Sequence, residues 1–225
     1  MQPPLQTPEW DRAYRIISSA FPPISLFEDV LDPADLQTAY LLEALTNDRL
    51  REEAGELSRV RSEDRISGPG STPVMAAFTH IGKPSRFTDG SYGVYYAASS
   101  QAAAIAETRF HQAQFLTATN EPDIELTLRT YVNQVVKPLH DLRSGYPHLH
   151  DADPANYGPA QAFARTLREA QSWGLLYNSV RLPGHECVAA LRPPAMSIPL
   201  QGKHLRYVWD SGSQEISVVF EINQL

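Results

Sequence analysis

The sequence lacks the features of a secreted or a membrane-spanning protein. Cys187 is the one cysteine in 225 residues, so the chain cannot form an internal disulfide, which fits a reducing compartment. It lies in the apolar run 187–191, and we interpret it as a small buried side chain and not as a nucleophile. No apolar run approaches the roughly 20 residues of a membrane span. The first residues, MQPPLQTPEW, lack the basic segment and apolar core of a signal peptide, so we expect a cytoplasmic protein.

Positive charge and two common catalytic motifs are also lacking. The net charge of −7 argues against direct binding of nucleic acid or of an anionic membrane surface, because both attract basic proteins. No G-x-S-x-G is present, so the nucleophile turn of an ester hydrolase is not expected. No G-x-G-x-x-G follows a predicted strand, which argues against redox use of NAD in a Rossmann fold.

Hydrophobic patterning predicts a single α+β domain over residues 1–225, with many short strands and a few helices. Residues 74–79 are apolar but do not distinguish a strand from a helix, and residues 139–158 are predicted as a loop. In the predicted final strand, every second residue from Ile216 to Ile222 is apolar. The predicted strands cover residues 13–18, 124–136, 174–181, 186–191, 205–209 and 216–222, and the predicted helices cover residues 33–45 and 159–173, the second ending at Gly174.

The chain is organised around residues 82–111, GKPSRFTDGSYGVYYAASSQAAAIAETRFH. A loop that carries Arg86 leads into a short strand ending at Tyr95 and Tyr96. A Ser-Ser pair then precedes an alanine-rich helix, and Ser99 or Ser100 suits its N-cap. Glu107 lies among apolar residues of that helix, so we expect its carboxylate to be half-buried. Such a carboxylate is costly unless it has a partner or a function, and an ordinary ion pair with Arg86 is one explanation.

Four short motifs occur in order along the chain, and together they resemble the RES domain family. They are Tyr14-Arg15, Arg86-Phe87, Tyr96 with Glu107 eleven residues later, and Tyr177-Asn178-Ser179-Val180-Arg181. The resemblance covers about residues 12–222. It implies an NAD-consuming toxin of a bacterial toxin–antitoxin pair, with an Xre-type helix-turn-helix protein as the antitoxin. It also implies a fold like that of ADP-ribosyltransferases, with a split antiparallel or mixed sheet and surrounding helices.

The sequence departs from the family pattern in two places. Thr88 stands where members commonly have Asn, Ser or His, so a hydrogen bond from that position is in doubt. Residues 1–70 form an N-terminal extension relative to compact members, and it includes the predicted strand 13–18 and helix 33–45. That extension could shape the cleft, bind a partner or form a homodimer contact.

The resemblance implies a site built from Arg15, Arg86, Tyr96, Glu107 and Ser179. The chemistry of these groups suits cleavage of the nicotinamide–ribose bond of NAD. A carboxylate such as Glu107 can accept a hydrogen bond from the sugar 2-hydroxyl as positive charge develops on the ring.

The remaining side chains suit binding of the rest of NAD. The guanidinium group of an arginine can donate two parallel hydrogen bonds to a phosphate, so Arg15 and Arg86 suit binding of a pyrophosphate. Tyr96 could stack on nicotinamide, and the Ser179 hydroxyl could bond its amide or a ribose oxygen. Arg181 is equally well explained as a phosphate contact or as a surface arginine. His111, one helical turn after Glu107, could reach the same cleft.

Three alternatives stay open. The same site could transfer ADP-ribose to one specific protein. His148, His150, Asp151 and Asp153 could instead serve a metal-dependent hydrolase, although we expect an exposed turn and no metal. The chain could also be a non-catalytic interaction protein that keeps only the fold.

Overall fold

The computed structural model describes residues 2–19 and 57–222, which form one large mixed sheet with three helices. The α+β prediction is confirmed in this coarse form, and the predicted helix over 33–45 lies outside the described residues. The strands are β1 Leu5–Gln6, β2 Ala13–Ser18, β3 Tyr95–Ala98, β4 Ile124–Asn133, β5 Leu139–Asp141, β6 Gly174–Asn178, β7 Glu186–Ala190, β8 Leu200–Asp210 and β9 Glu215–Ile222. The helices are α1 Thr72–Thr79, α2 Gln101–Ala118 and α3 Gly158–Glu169.

The sheet is nearly divided at its centre. Its strand order is β1-β5-β6-β7-β3-β2-β4-β8-β9, and every neighbouring pair is antiparallel except β5 with β6. The strands β2 and β3 pair at one position, Tyr14 opposite Ala98, whereas β2 pairs with β4 along all six of its residues. The sheet is thus continuous, with its weakest pairing between β2 and β3, and the predicted split sheet of an ADP-ribosyltransferase-like fold stays a prediction.

Two apolar clusters lie on opposite faces of the sheet. One contains buried residues of α2 and α3, such as Ala103 and Leu167, packed against Tyr177 and Trp209. The other contains residues of α1, such as Met75, with Tyr95. Because neighbouring strand residues point to opposite faces, Tyr95 and Tyr96 were expected to separate. This expectation is confirmed, since Tyr96 packs against the first cluster.

Several predicted element bounds are wrong. The strand β3 begins at Tyr95, where the prediction had it end. Residues 139–158 contain β5 and two short 3-10 helices in addition to loop. The undecided residues 74–79 belong to α1, whose second residue, Pro73, suits a first helical turn because it needs no N–H partner there.

Gly174 does not end the helix before it. The helix α3 stops at Glu169, and Gln171 takes the left-handed conformation, with a φ of 60°. Gly174 instead begins β6, where an added Cβ would lie 2.4 Å from the carbonyl oxygen of Ala189 on β7. Glycine is therefore needed for the close approach of two strand backbones.

The predicted apolar face of β9 is also wrong. The pairing with β8 shifts by one residue between Val208 and Trp209, so the alternation is broken. Ile216 is buried and Val219 packs against the core, but Val218 and Phe220 are exposed.

Candidate active site

A cavity of about 190 Å³ opens where β2 and β3 separate. Four of the predicted site residues line it: Arg15, Arg86, Tyr96 and Glu107. Ser179 and Arg181 are not among its described lining residues. The remaining lining residues are Tyr14, Ile16, Ser85, Ala97, Ala98, Ala104, Thr108, His111, Tyr177 and Cys187.

The helix α2 places Glu107 in the wall of this cavity. Ser100 is its N-cap and accepts a hydrogen bond from the backbone N–H of Ala103 at 3.1 Å, which satisfies one free N–H of the first turn. Ala103 and Ala104 are buried, and such small side chains let α2 lie close to the sheet. Glu107 is half-buried, as predicted, but it forms no ion pair with Arg86 or with any other described residue.

Ser179 holds one oxygen of this carboxylate. Its hydroxyl donates to Glu107 Oε1 at 2.7 Å, and its oxygen accepts from the backbone N–H groups of Arg181 and Leu182 at 3.2 and 3.1 Å. Since the lone pairs of the hydroxyl are occupied by these N–H groups, its proton must point at Glu107. Glu107 Oε2 has no hydrogen-bond donor among the described residues, so this oxygen is available to a ligand.

Arg86 is buried and holds the loop that follows β5. It donates to the carbonyl oxygens of Leu149 and Asp151 at 3.3 and 2.7 Å and to the Tyr157 hydroxyl at 3.2 Å. Its guanidinium carbon lies 4.4 Å from the centre of the Tyr157 ring. These three bonds leave two of the five guanidinium N–H donors without a described partner. A buried cation with no carboxylate partner in the described chain favours an anionic ligand.

Tyr96 is fixed by its hydroxyl group. The hydroxyl accepts from the backbone N–H of Phe87 at 3.0 Å and shares a hydrogen bond of 2.8 Å with the Ser85 hydroxyl. Burial raises the pKa of Tyr96, so the phenol stays neutral. These bonds hold the ring in one orientation at the cavity wall.

The other two predicted arginines have partners within the protein. Arg15 donates to the carbonyl oxygen of Tyr96 at 3.1 Å and lies 4.5 Å from the centre of the Tyr95 ring, so it bridges the near-division of the sheet. Burial lowers its pKa. Arg181 stacks on Phe110 at 3.3 Å and donates to the Ala152 carbonyl oxygen, at the rim of the same region.

Two titratable side chains of the cavity stay neutral near pH 7. Partial desolvation of the ring lowers the pKa of His111 to about 4, with the guanidinium groups of Arg181 and Arg86 adding to this effect, although the residue as a whole is exposed. Burial raises the pKa of the Cys187 thiol, and its sulfur lies 3.9 Å from Glu107 Oε1. Both results agree with the interpretation of Cys187 as a buried small side chain and with the expected reach of His111 to the cleft.

The histidine loop is held by local hydrogen bonds. The two ring nitrogens of His150 bond the Tyr146 carbonyl oxygen and the Asn178 backbone N–H, at 2.9 and 3.3 Å. The carboxylates of Asp151 and Asp153 accept from backbone N–H groups two residues later, as in turns. Within residues 2–19 and 57–222, no three His, Cys, Asp or Glu side chains are grouped to hold a metal ion.

Sequence reasoning missed Tyr157 and gave Ser85 no role. Tyr157 touches both Arg86 and Arg181, and Ser85 holds Tyr96. No pattern marks Tyr157, because it lies 71 residues from Arg86, immediately before α3. Ser85 stands directly before Arg86, and that position was the available signal.

The chain also matches a known protein family. The family model of the RES domain matches residues 56–210, more than half of the chain. This chain belongs to the RES domain family. The uncharacterized protein y4oC of Sinorhizobium fredii is 26% identical to this RES domain protein over 212 residues, which are 94% of this chain and 88% of that protein.

One solved structure aligns with most of the chain, with a lower sequence identity than y4oC. It is the MbcT–MbcA toxin–antitoxin complex of M. tuberculosis, with 12% identity, a TM-score of 0.43 and coverage of 93% of this chain and 90% of that one. Similarity at this level supports no inference about this RES domain. In the described residues, no helix is long and apolar enough to cross a membrane.

Proposed function

We propose that this RES domain protein is the toxin of a bacterial toxin–antitoxin pair and cleaves the nicotinamide–ribose bond of NAD. Family membership supports an NAD-consuming toxin, through what the resemblance implies for its members. The observation that carries the choice of bond is that Glu107 is the single carboxylate among the described residues of the cavity wall.

A single carboxylate suits this bond better than an ordinary glycosidic bond. Hydrolysis of an O-glycoside generally uses two carboxyl groups, one of which protonates the leaving oxygen. In NAD the leaving group is a pyridinium, which takes the bonding electron pair and departs as neutral nicotinamide. No proton donor is therefore needed, and one carboxylate facing the sugar is enough.

Glu107 would act through its second oxygen. Ser179 occupies Oε1, so Oε2 can accept a hydrogen bond from the ribose 2-hydroxyl next to the reacting carbon. That bond strengthens as the sugar gains oxocarbenium character, which lowers the barrier. A water or phosphate that attacks the same carbon from the other side of the ring would complete the reaction and lose a proton.

The cavity would hold only part of NAD. Its volume of about 190 Å³ is below the roughly 300–1,000 Å³ of sites for drug-sized ligands, so we place the nicotinamide and its ribose inside. Tyr96 would stack on the nicotinamide ring. The two remaining donors of Arg86 would bind a pyrophosphate oxygen at the opening, with Arg15 and Arg181 as the further cations of the site.

The identity of the group that accepts the ADP-ribose is a separate proposal. Hydrolysis or phosphorolysis uses a small acceptor, whereas a mono-ADP-ribosyltransferase would use a specific protein at the same site. We also propose a cytoplasmic location, an ADP-ribosyltransferase-like fold and neutralisation by an Xre-type antitoxin, all from the family resemblance. A homodimer and a role for residues 1–70 in it stay predictions.

The test is nicotinamide release from NAD by the purified protein, with and without phosphate, followed by chromatography. Glu107→Gln keeps the shape of the side chain and an acceptor for Ser179 but removes the charge. We expect release to fall by at least about a hundredfold, because the charge stabilises the transition state directly. Glu125→Gln, which changes an exposed carboxylate paired with Arg206, is the matched control and should keep full activity.

The outcomes separate the candidates. Equal release by Glu107→Gln and the original protein would contradict the proposed role of Glu107. Release only in the presence of a cell extract, with ADP-ribose found on one protein, would favour the transferase. The hydrolase that uses His148 and His150 would be favoured instead by activity that a chelator abolishes and Glu107→Gln leaves unchanged.

A further inference from the structure

A second cavity lies apart from the candidate active site and is rich in arginine. Its volume is about 180 Å³, and it opens between the segment 59–64, the C-terminal part of α3 and the segment after β7. We call it the arginine pocket. Its charged lining residues in the described chain are Arg59, Arg61, Arg168, Arg192 and Asp64.

The charge of the arginine pocket is opposite in sign to that of the whole protein. Four arginines and one carboxylate line it, with Glu63 outside the lining paired to Arg61, whereas the chain as a whole has a net charge of −7. Like charges gathered in one cavity repel each other, and a bound anion removes that repulsion.

Two of the arginines are held in place by aromatic rings and ion pairs. Arg192 donates from Nε and Nη2 to the buried carboxylate of Asp64, at distances between 2.6 and 3.0 Å, and its guanidinium lies 3.9 Å from the centre of the Trp173 ring. Arg168 lies 4.8 Å from the centre of the Tyr92 ring. Stacking on a ring leaves the edge of a guanidinium free to donate.

Arg168 has more unused donors than Arg61 or Arg192. Its guanidinium forms no hydrogen bond or ion pair with any residue in the described ranges, in contrast to Arg192 and to Arg61, which bonds Gln171 and Glu63. A carboxylate is satisfied by one bidentate arginine, as Asp64 is by Arg192. A tetrahedral oxyanion can accept from several arginines that approach from different directions.

We propose that the arginine pocket binds a small phosphate group, as inorganic phosphate or as the phosphate of a small sugar ester. The volume of about 180 Å³ is below the roughly 300–1,000 Å³ of sites for drug-sized ligands, so the arginine pocket is too small for a dinucleotide. The proposal does not depend on NAD cleavage, because it concerns a different set of residues.

The two cavities share one segment, so a test must separate them. Tyr92 lines the arginine pocket, and its hydroxyl donates to the Phe87 carbonyl oxygen at 2.7 Å. The backbone N–H of Phe87 in turn donates to the Tyr96 hydroxyl in the active-site cavity. Phosphate bound at either place could therefore change the same segment.

The experiment is calorimetric titration of the whole protein with inorganic phosphate and with ribose 5-phosphate, at constant ionic strength set with potassium chloride. We expect saturable binding that Arg168→Met weakens by about tenfold or more, since a charge-assisted hydrogen bond is lost. Arg168→Lys keeps the charge and should recover part of the affinity. Arg206→Met, which removes another exposed arginine next to an aromatic ring, should bind as the original protein does.

Three results would overturn the proposal. The first is no saturable binding of either phosphate compound by the folded original protein. The second is binding that Arg86→Gln abolishes and Arg168→Met leaves unchanged, which would place the anion in the active-site cavity. The third is equal affinity for citrate, which would mean a site for carboxylates. Circular dichroism of each variant confirms that it is folded, and preferential binding of ribose 5-phosphate over phosphate would identify the ester as the ligand.

Discussion

Ser179→Ala tests whether the proposed catalytic carboxylate depends on a neighbour that does not itself reach the cavity. The change removes the hydroxyl that donates to Glu107 Oε1 at 2.7 Å. It also removes the acceptor for the backbone N–H groups of Arg181 and Leu182. The carboxylate then loses its one described hydrogen-bond donor within normal N–H or O–H distance, apart from the weak thiol contact of Cys187.

The expected effect on catalysis follows from the strength of that bond. A hydrogen bond to a charged group contributes about 1.5–3 kcal/mol, and about 1.4 kcal/mol of barrier is a factor of ten in rate. We therefore expect kcat for nicotinamide release to fall by about tenfold to a hundredfold. KM should change little, because Ser179 is not among the described lining residues of the cavity. The free energy of unfolding should fall by about 1 kcal/mol or more, since two N–H groups lose their acceptor.

The assay is steady-state release of nicotinamide, with thermal unfolding measured on the same samples. Ser172→Ala is the matched control, because Ser172 is also a buried serine that accepts from a backbone N–H, that of Gly174 at 3.1 Å. The Ser172→Ala variant should be less stable than the original protein but should keep its kcat. If Ser179→Ala keeps the kcat of the original protein, or if Ser172→Ala loses as much, the reasoning about Glu107 is refuted.

Two further predictions concern stability. Gly174→Ala should lower the free energy of unfolding by more than about 2 kcal/mol, because its Cβ would lie 2.4 Å from the Ala189 carbonyl oxygen. The control is Gly158→Ala, whose added Cβ has no atom within 4 Å and should leave the free energy of unfolding unchanged. Thermal unfolding of both variants measures the difference. His111 has a folded-state pKa of about 4 against an ordinary 6.5, so the unfolded chain takes up a proton that the folded chain refuses. His111 therefore has no effect on the pH dependence above pH 6.5 and lowers the stability increasingly as the pH falls from 6.5 toward 4. His111→Asn should reduce the fall in Tm on acidification, and an unchanged fall would contradict this.

The residues of one local unit were predictable from the sequence. Arg86, Tyr96 and Glu107 belong to a loop, a strand and a helix that follow each other directly, so their spacing alone brings them together. Ser100 as the N-cap and Glu107 as a half-buried carboxylate follow from rules that act within a single helix. The family itself was identifiable in the same way, because its motifs are short and lie in a fixed order.

Roles that depend on distant residues were not predictable. The hydrogen bond from Ser179 to Glu107 was not expected, and the predicted contact of Ser179 with the substrate stays a prediction. Arg86 was expected to bind a phosphate or to pair with Glu107, whereas its described bonds hold the loop after β5 through two carbonyl oxygens and Tyr157. These roles depend on which loop packs over which strand, and sequence spacing carries no information about that.

The amino-acid sequence by itself determined the α+β class, the unit over residues 82–111 and the chemistry of its side chains. Those properties come from local periodicity, capping and residue type, which act over a few residues. Only the tertiary structure decided the near-division between β2 and β3, the free oxygen of Glu107 and the gathering of Arg59, Arg61, Arg168 and Arg192 in one pocket. The physical reason is that strand pairing and packing join residues far apart in the chain, such as Glu107 and Ser179, and the energy of those contacts has no counterpart in the local pattern.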